Sequence, residues 1–134
     1  MDTQERKCIY TDRAPKPIGP YCQGNVAGPF VFTAAVGGLR PDGTLPNGIG
    51  PQTEQALKNI AAILEAGGCR LADVAKVTAY LQSLGDFDVM NGVYQRFFSQ
   101  PYPARSIIQT ALPRGAGAVA FDAVALRPAA VPET

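Results

Sequence analysis

Arg105 follows Pro103-Ala104 and opens a β-prone run. A guanidinium at a strand start, flanked by small residues, can offer its planar fork to a carboxylate through paired, charge-assisted hydrogen bonds. An ordinary surface or interface ion pair explains the same residue, and on spacing alone it is the plainer reading. Tyr21 lies in Ile18-Gly19-Pro20-Tyr21-Cys22-Gln23, a constrained turn that can aim a phenol into a cleft or simply supply an amphipathic core residue. Asn91, just before Gly92, either faces outward or hydrogen-bonds a neighbouring turn. Asp122 is the carboxylate inside an otherwise apolar run, fit to be a catalytic acid or the partner of an interfacial arginine.

What is missing narrows the chemistry further. The 134 residues contain no histidine, so imidazole bases, Ser-His or Cys-His pairs and His-ligated metals are excluded. Proton transfer must use carboxylate, thiol, phenol, amine or water. Cys8, Cys22 and Cys69 are odd in number, widely spaced and without a Cys-x-x-Cys, which predicts three reduced, non-catalytic thiols and no disulfide or zinc site. Without histidine nearby, Cys22 reads as a small buried hydrophobe rather than a nucleophile. A net charge of +1 and the lack of a basic run argue against a nucleic-acid partner. Met1 to Lys7 is polar, unlike a signal peptide, and no apolar stretch nears the roughly 20 residues of a membrane span. The expectation is a soluble, cytoplasmic protein with no membrane partner. Val36-Gly37-Gly38 runs into Leu-Arg-Pro rather than opening a helix, so it is no phosphate loop.

The elements that must position these residues follow from periodicity. The apolar content of 46% and the length suit one folded domain over residues 1–134. Asn25 to Val36 predicts a hairpin about Gly28-Pro29, and Arg40 to Thr44 a turn. Pro51 marks a helix start, with Ala56, Leu57, Ile60, Ile63 and Leu64 on one face and Gly67-Gly68 as its stop. Val74 to Gln82 alternates as a strand, with Val77, Ala79 and Leu81 facing a core. Asp86 caps a second helix carrying Phe87, Met90, Tyr94 and Phe97, and Pro101 bars its continuation. Strands follow at Ser106–Ala111 and Ala118–Leu126. The last is apolar on both faces apart from Asp122, so both must be covered. Two helices cover one face of a small sheet, which leaves the other to a second subunit. The result is an α+β sandwich, β-β-α-β-α-β-β, oligomerising through its sheets with cyclic symmetry.

Together, Ile18-Gly19-Pro20-Tyr21, Val31-Phe32-Thr33, Gln52-Thr53, Leu57-Lys58-Asn59-Ile60, Leu64-Glu65-Ala66-Gly67-Gly68, Asp73 to Thr78, Asp86 to Asn91 and Pro103-Ala104-Arg105-Ser106 resemble the Rid family, the reactive intermediate deaminases also called YjgF or L-PSP proteins. The likeness covers about residues 8–127. It implies a chorismate-mutase-like fold with a mixed sheet and two helices on one face, a homotrimer, and clefts at the subunit interfaces. It also implies cofactor-free hydrolysis of enamines or imines such as 2-aminoacrylate to 2-keto acids and ammonia. By that resemblance Arg105 binds the substrate carboxylate, and Tyr21 and Asn91 line or support the cleft.

The chain also departs from the family pattern. The family's Val-Glu-Ile-Glu on the last strand reads Val119-Ala120-Phe121-Asp122, so Ala120 stands where an acid handles the hydrolytic water. Ile107 replaces a common cysteine. Ala34-Ala35 replaces Ser-Gly after Phe32-Thr33, and the loop Pro113–Gly117 is shifted in length. The expected catalytic residues are Tyr21 and Arg105, with Thr33, Ala34, Ala35, Asn91, Ile107 and Ala120 completing the substrate site and no metal. Two classes of function follow: an enzyme on a small carboxylate-bearing imine or enamine, hydrolytic or water-excluding, or a trimer that binds such a metabolite without turnover. Ribonuclease activity, sometimes attached to the family name, has no support in a near-neutral chain without histidine.

Overall fold

The computed structural model describes residues 5–113 and 115–129. Arg114, within the expected loop Pro113–Gly117, lies outside the described residues, as does most of Met1 to Lys7. Seven strands form one sheet: β1 Arg6–Ile9, β2 Gly24–Ala27, β3 Phe30–Thr33, β4 Val36–Gly37, β5 Val74–Leu81, β6 Ala104–Gln109 and β7 Val119–Leu126. Their order is β1-β2-β3-β7-β5-β6, with β4 paired to β7. Only β5 and β6 run parallel, joined by α2 as a parallel crossover requires. The α+β class and the mixed sheet agree with expectation. The element count does not: β1, whose Arg-Lys-Cys-Ile does not alternate, and the two-residue β4 are additional strands without a periodic signal.

Helix α1, Ile49–Ala66, starts two residues before Pro51. A proline is tolerated there because the first N–H groups of a helix have no intrahelical acceptor. The helix ends at Gly67, and Gly68 turns left-handed at φ 89°, where its N–H donates to the Glu65 carbonyl. Helix α2, Phe87–Tyr94, stops before the expected Phe97 because the chain turns through Arg96 and Phe97 bonding back to Val93 and Tyr94. Asp86 sits at its cap position without a side-chain cap bond.

The core lies between the helices and one sheet face. Val77, Ala79 and Leu81 of β5 and Val119, Phe121, Ala123 and Ala125 of β7 are buried against Leu57, Ile60, Ile63 and Leu64 of α1 and Met90 of α2. The opposite face is bare in the protomer, exposing Phe30, Phe32, Ile108 and Leu126. Gly38 is packed so closely on α1 that a Cβ there would meet the Gln52 carbonyl oxygen at 2.5 Å. Val36-Gly37-Gly38 is therefore a packing element, in line with its rejection as a phosphate loop.

The expectation of three reduced thiols without a disulfide is overturned. Cys8 and Cys22 form a disulfide, and only Cys69 is free. The chain folds β1 back on β2, bringing the two Cα atoms within 5.7 Å, well inside bridging range. Sequence spacing gives no hint of this approach: the β1–β2 register sets Cys8 opposite Asn25, and the segment leading into β2 carries Cys22 back to it. The bond also removes reduced cysteines as an argument for a reducing compartment. Among the described residues no helix is long and apolar enough to cross a membrane.

Candidate active site

The sheet register divides the expected site residues between two faces. Arg105 pairs with Val77 and Ile107 with Ala79, so both point to the helix side. Ala120 pairs with Tyr80 and Asp122 with Thr78, which places them on the bare side. Along the strands Arg105 and Ala120 are offset by three residues, about 10 Å. One protomer does not bring Arg105 and Ala120 together.

On the helix side, at edge strand β6, Arg105 Nη1 donates to Asn91 Oδ1 on α2 at 2.7 Å. Its guanidinium carbon lies 4.7 Å from the Tyr94 ring centroid and 5.9 Å from that of Phe87. Asn91, Tyr94, Gln95, Tyr102, Pro103 and Arg105 line a cavity of about 420 Å³. The ion pairs of the described residues engage Arg13, Lys58, Arg70 and Arg96, and none engages Arg105. A half-buried cation held by a neutral amide and an aromatic face keeps its charge for an anion. Tyr94 stacks on Phe98 at 4.6 Å, and burial pushes its phenol up, partly opposed by Arg105. Ile107 packs against the core, out of reach of the bare face.

On the bare side Tyr21, Ala35, Tyr80 and Ala120 line a second cavity, of about 480 Å³, whose wall also includes Ile18 and Leu39. The Ile18 N–H donates to the Tyr21 phenol oxygen at 3.2 Å, closing the turn that carries both. Buried Gln23 fixes that loop, accepting from the Thr11 N–H at 2.7 Å and donating to the Thr11 and Pro15 carbonyls. Thr33 is spoken for: its hydroxyl accepts from the Ala123 N–H at 3.0 Å and donates to the Ala34 carbonyl at 2.8 Å. It ties β3 to β7 and has no proton left to offer. Ala34 donates its N–H to the Gln23 carbonyl. Asn59, fully buried on α1, donates to the Gly37 and Leu39 carbonyls and so holds the cavity wall next to β4.

Asp122 is engaged within the chain. The Tyr80 hydroxyl donates to Asp122 Oδ2 at 2.7 Å, and that bond, with burial, pushes the phenol up to about 12. Tyr80 was visible beforehand only as the outward residue of an alternating strand. Its place beside Ala120 depends on the β5–β7 register, which alternation does not determine. Among the described residues no group of three cysteine, aspartate or glutamate side chains converges to hold a metal.

Comparison with known proteins bears on this arrangement. The sequence model of a family described as "Endoribonuclease L-PSP" matches residues 11–126. A 2-iminobutanoate/2-iminopropanoate deaminase of Bos taurus is 38% identical over 95% of this chain and 94% of its own. A protein of the same description from Escherichia coli K12 is 36% identical over 90% of this chain and 98% of its own. Among solved structures, Escherichia coli TdcF with bound serine superposes with a TM-score of 0.86 at 38% identity, covering 91% of this chain and 99% of that one.

Proposed function

Since this chain belongs to the Rid family of YjgF or L-PSP proteins, we propose that it is a single domain over residues 1–134, about 8–127 of them matching the family, that hydrolyses a small carboxylate-bearing imine or enamine. An enamine first takes a solvent proton on its β-carbon to become the iminium; water then adds at the C=N carbon, and ammonia leaves to give a 2-keto acid. The reaction consumes only water and involves no redox or group-carrying cofactor. One observation carries the reading: Arg105 is a half-buried guanidinium, oriented by Asn91 and Tyr94, with no acidic partner among the described residues. Such a group suits a planar carboxylate. The relatives named as imino-acid deaminases and the serine-bound neighbour support the same ligand class.

The site is composite in this account. Arg105 sits on edge strand β6, and the cavity with Tyr21, Ala35 and Ala120 lies on the bare face. A second copy laying its β6 edge over that face joins the two halves, and three copies in a closed ring repeat the contact. Ala120 takes the place of the acid that handles water in the family pattern, so the chemical step needs another proton carrier. The apolar wall of Ile18, Leu39 and Ala35 favours, as a second reading, a step that excludes water. Ammonia release from freshly generated 2-aminoacrylate separates the two. Release that Arg105→Ala lowers at least about tenfold below saturation supports hydrolysis; tight binding of the imino acid with no ammonia favours the second reading.

A further inference from the structure

Asp122 lies on the same strand face as Ala120 but about 7 Å farther along it, too far to replace a carboxylate at 120 directly. Tyr80 neighbours both positions. Its Cα is paired with that of Ala120, while its hydroxyl donates to Asp122 Oδ2 at 2.7 Å. The same tyrosine lines the cavity shared by Tyr21 and Ala120. The phenol oxygen keeps lone pairs for a hydrogen bond from water, and its proton already points at a carboxylate. The other titratable side chain of β5 on this face, Lys76, is held at 3.2 Å by Ser106 of β6 and leaves Asp122 to Tyr80.

Building on the hydrolytic reading above, we propose that Tyr80 and Asp122 form the proton relay that replaces the missing acid at position 120. As water attacks the iminium carbon, the new C–O bond forms and the C=N π pair moves onto nitrogen. One water proton passes to the Tyr80 oxygen while the proton of Tyr80 passes to Asp122. The carbinolamine then collapses by the reverse path. Asp122 returns its proton to Tyr80, Tyr80 protonates the nitrogen, and the C–N bond breaks. The hydroxyl proton leaves with ammonia as ammonium, so one iminium and one water give one keto acid and one ammonium. Tyr80 touches the reacting water; Asp122 acts through Tyr80. Because the Tyr80 hydroxyl already donates its proton to the Asp122 carboxylate, Asp122 and not a tyrosinate is the terminal base.

The test is steady-state ammonia release from freshly generated 2-aminoacrylate by the parent, Tyr80→Phe, Asp122→Asn and Tyr80→Phe combined with Ala120→Glu. Both single variants should lose about 10²-fold in kcat, with KM changed less than about twofold, as fits loss of a proton carrier rather than of substrate binding. The added glutamate should recover at least about tenfold of the loss in Tyr80→Phe. Asp122→Asn keeps the side-chain shape, so it reports on the relay even if Tyr80→Phe folds poorly. A parent that releases ammonia while Tyr80→Phe or Asp122→Asn matches it in kcat overturns the relay and leaves the deaminase reading standing. A loss confined to KM also overturns the relay. A parent that binds the imino acid and releases no ammonia overturns the deaminase reading, and the relay with it.

Discussion

At Arg105 the guanidinium is held by an amide and an aromatic face, and among the described residues no carboxylate pairs with it. A charge-assisted hydrogen bond is worth about 1.5–3 kcal/mol, so Arg105→Ala should weaken binding of a carboxylate ligand by roughly ten- to a hundredfold. Calorimetric titration with a non-reactive 2-keto acid checks this, and an unchanged circular dichroism spectrum confirms that the fold survives. Tyr80 makes a prediction in pH. Its folded pKa of about 12 lies above its ordinary 10.0 because the protonated phenol donates to Asp122. The folded state thus holds a proton that the unfolded state has lost. The contribution of Tyr80 to stability is complete below pH 10 and disappears as pH rises toward 12. Over that window the melting temperature of the parent should fall more steeply than that of Tyr80→Phe. Parallel curves would show that the Tyr80–Asp122 bond adds nothing.

Among the elements, the loop from Ile9 to Tyr21 is closed by the Cys8–Cys22 bond and pinned by Gln23. Closing a loop of this length restricts the unfolded chain by about 3 kcal/mol. The Cys22→Ser variant should melt several degrees below the oxidised parent and level with the reduced one. Thiol titration in denaturant should count one free thiol per oxidised chain, that of Cys69, and three after reduction. Three thiols before reduction would refute the bond. The elements differ in how far they were legible beforehand. Alternation gave β5, and the double-sided apolar run gave β7, because both signals are local and repeat along the strand. Helix α1 was legible for the same reason, to within two residues at its start. Strands β1 and β4 were not: Arg-Lys-Cys-Ile does not alternate, and two residues carry no period. The Cys8–Cys22 pair, the Tyr80–Ala120 pairing and the separation of Arg105 from Ala120 all depend on how distant segments come together. Motif resemblance grouped Tyr21, Arg105 and Ala120 as one site, but it could not tell which lay on which face.

For the whole molecule, the bare sheet face is the unresolved physical problem of a lone protomer. Phe30, Phe32, Ile108 and Leu126 are exposed there around the half-buried Val124. Exposed apolar surface of this kind marks a contact site. Sedimentation equilibrium at micromolar concentration should find three chains of 14.1 kDa per particle, and Phe32→Glu should shift the particle toward monomer with loss of activity. A well-folded, fully active monomer would refute the composite site. Mixing two inactive variants asks the same question at the site itself. Arg105→Ala retains the cavity with Tyr21, and Tyr21→Ala retains the arginine. If each site joins the arginine of one protomer to the cavity of the next, randomly mixed rings regain about a quarter of the parental ammonia release from 2-aminoacrylate. If each protomer holds a whole site, the mixture stays as inactive as its components, and that result would contradict the account.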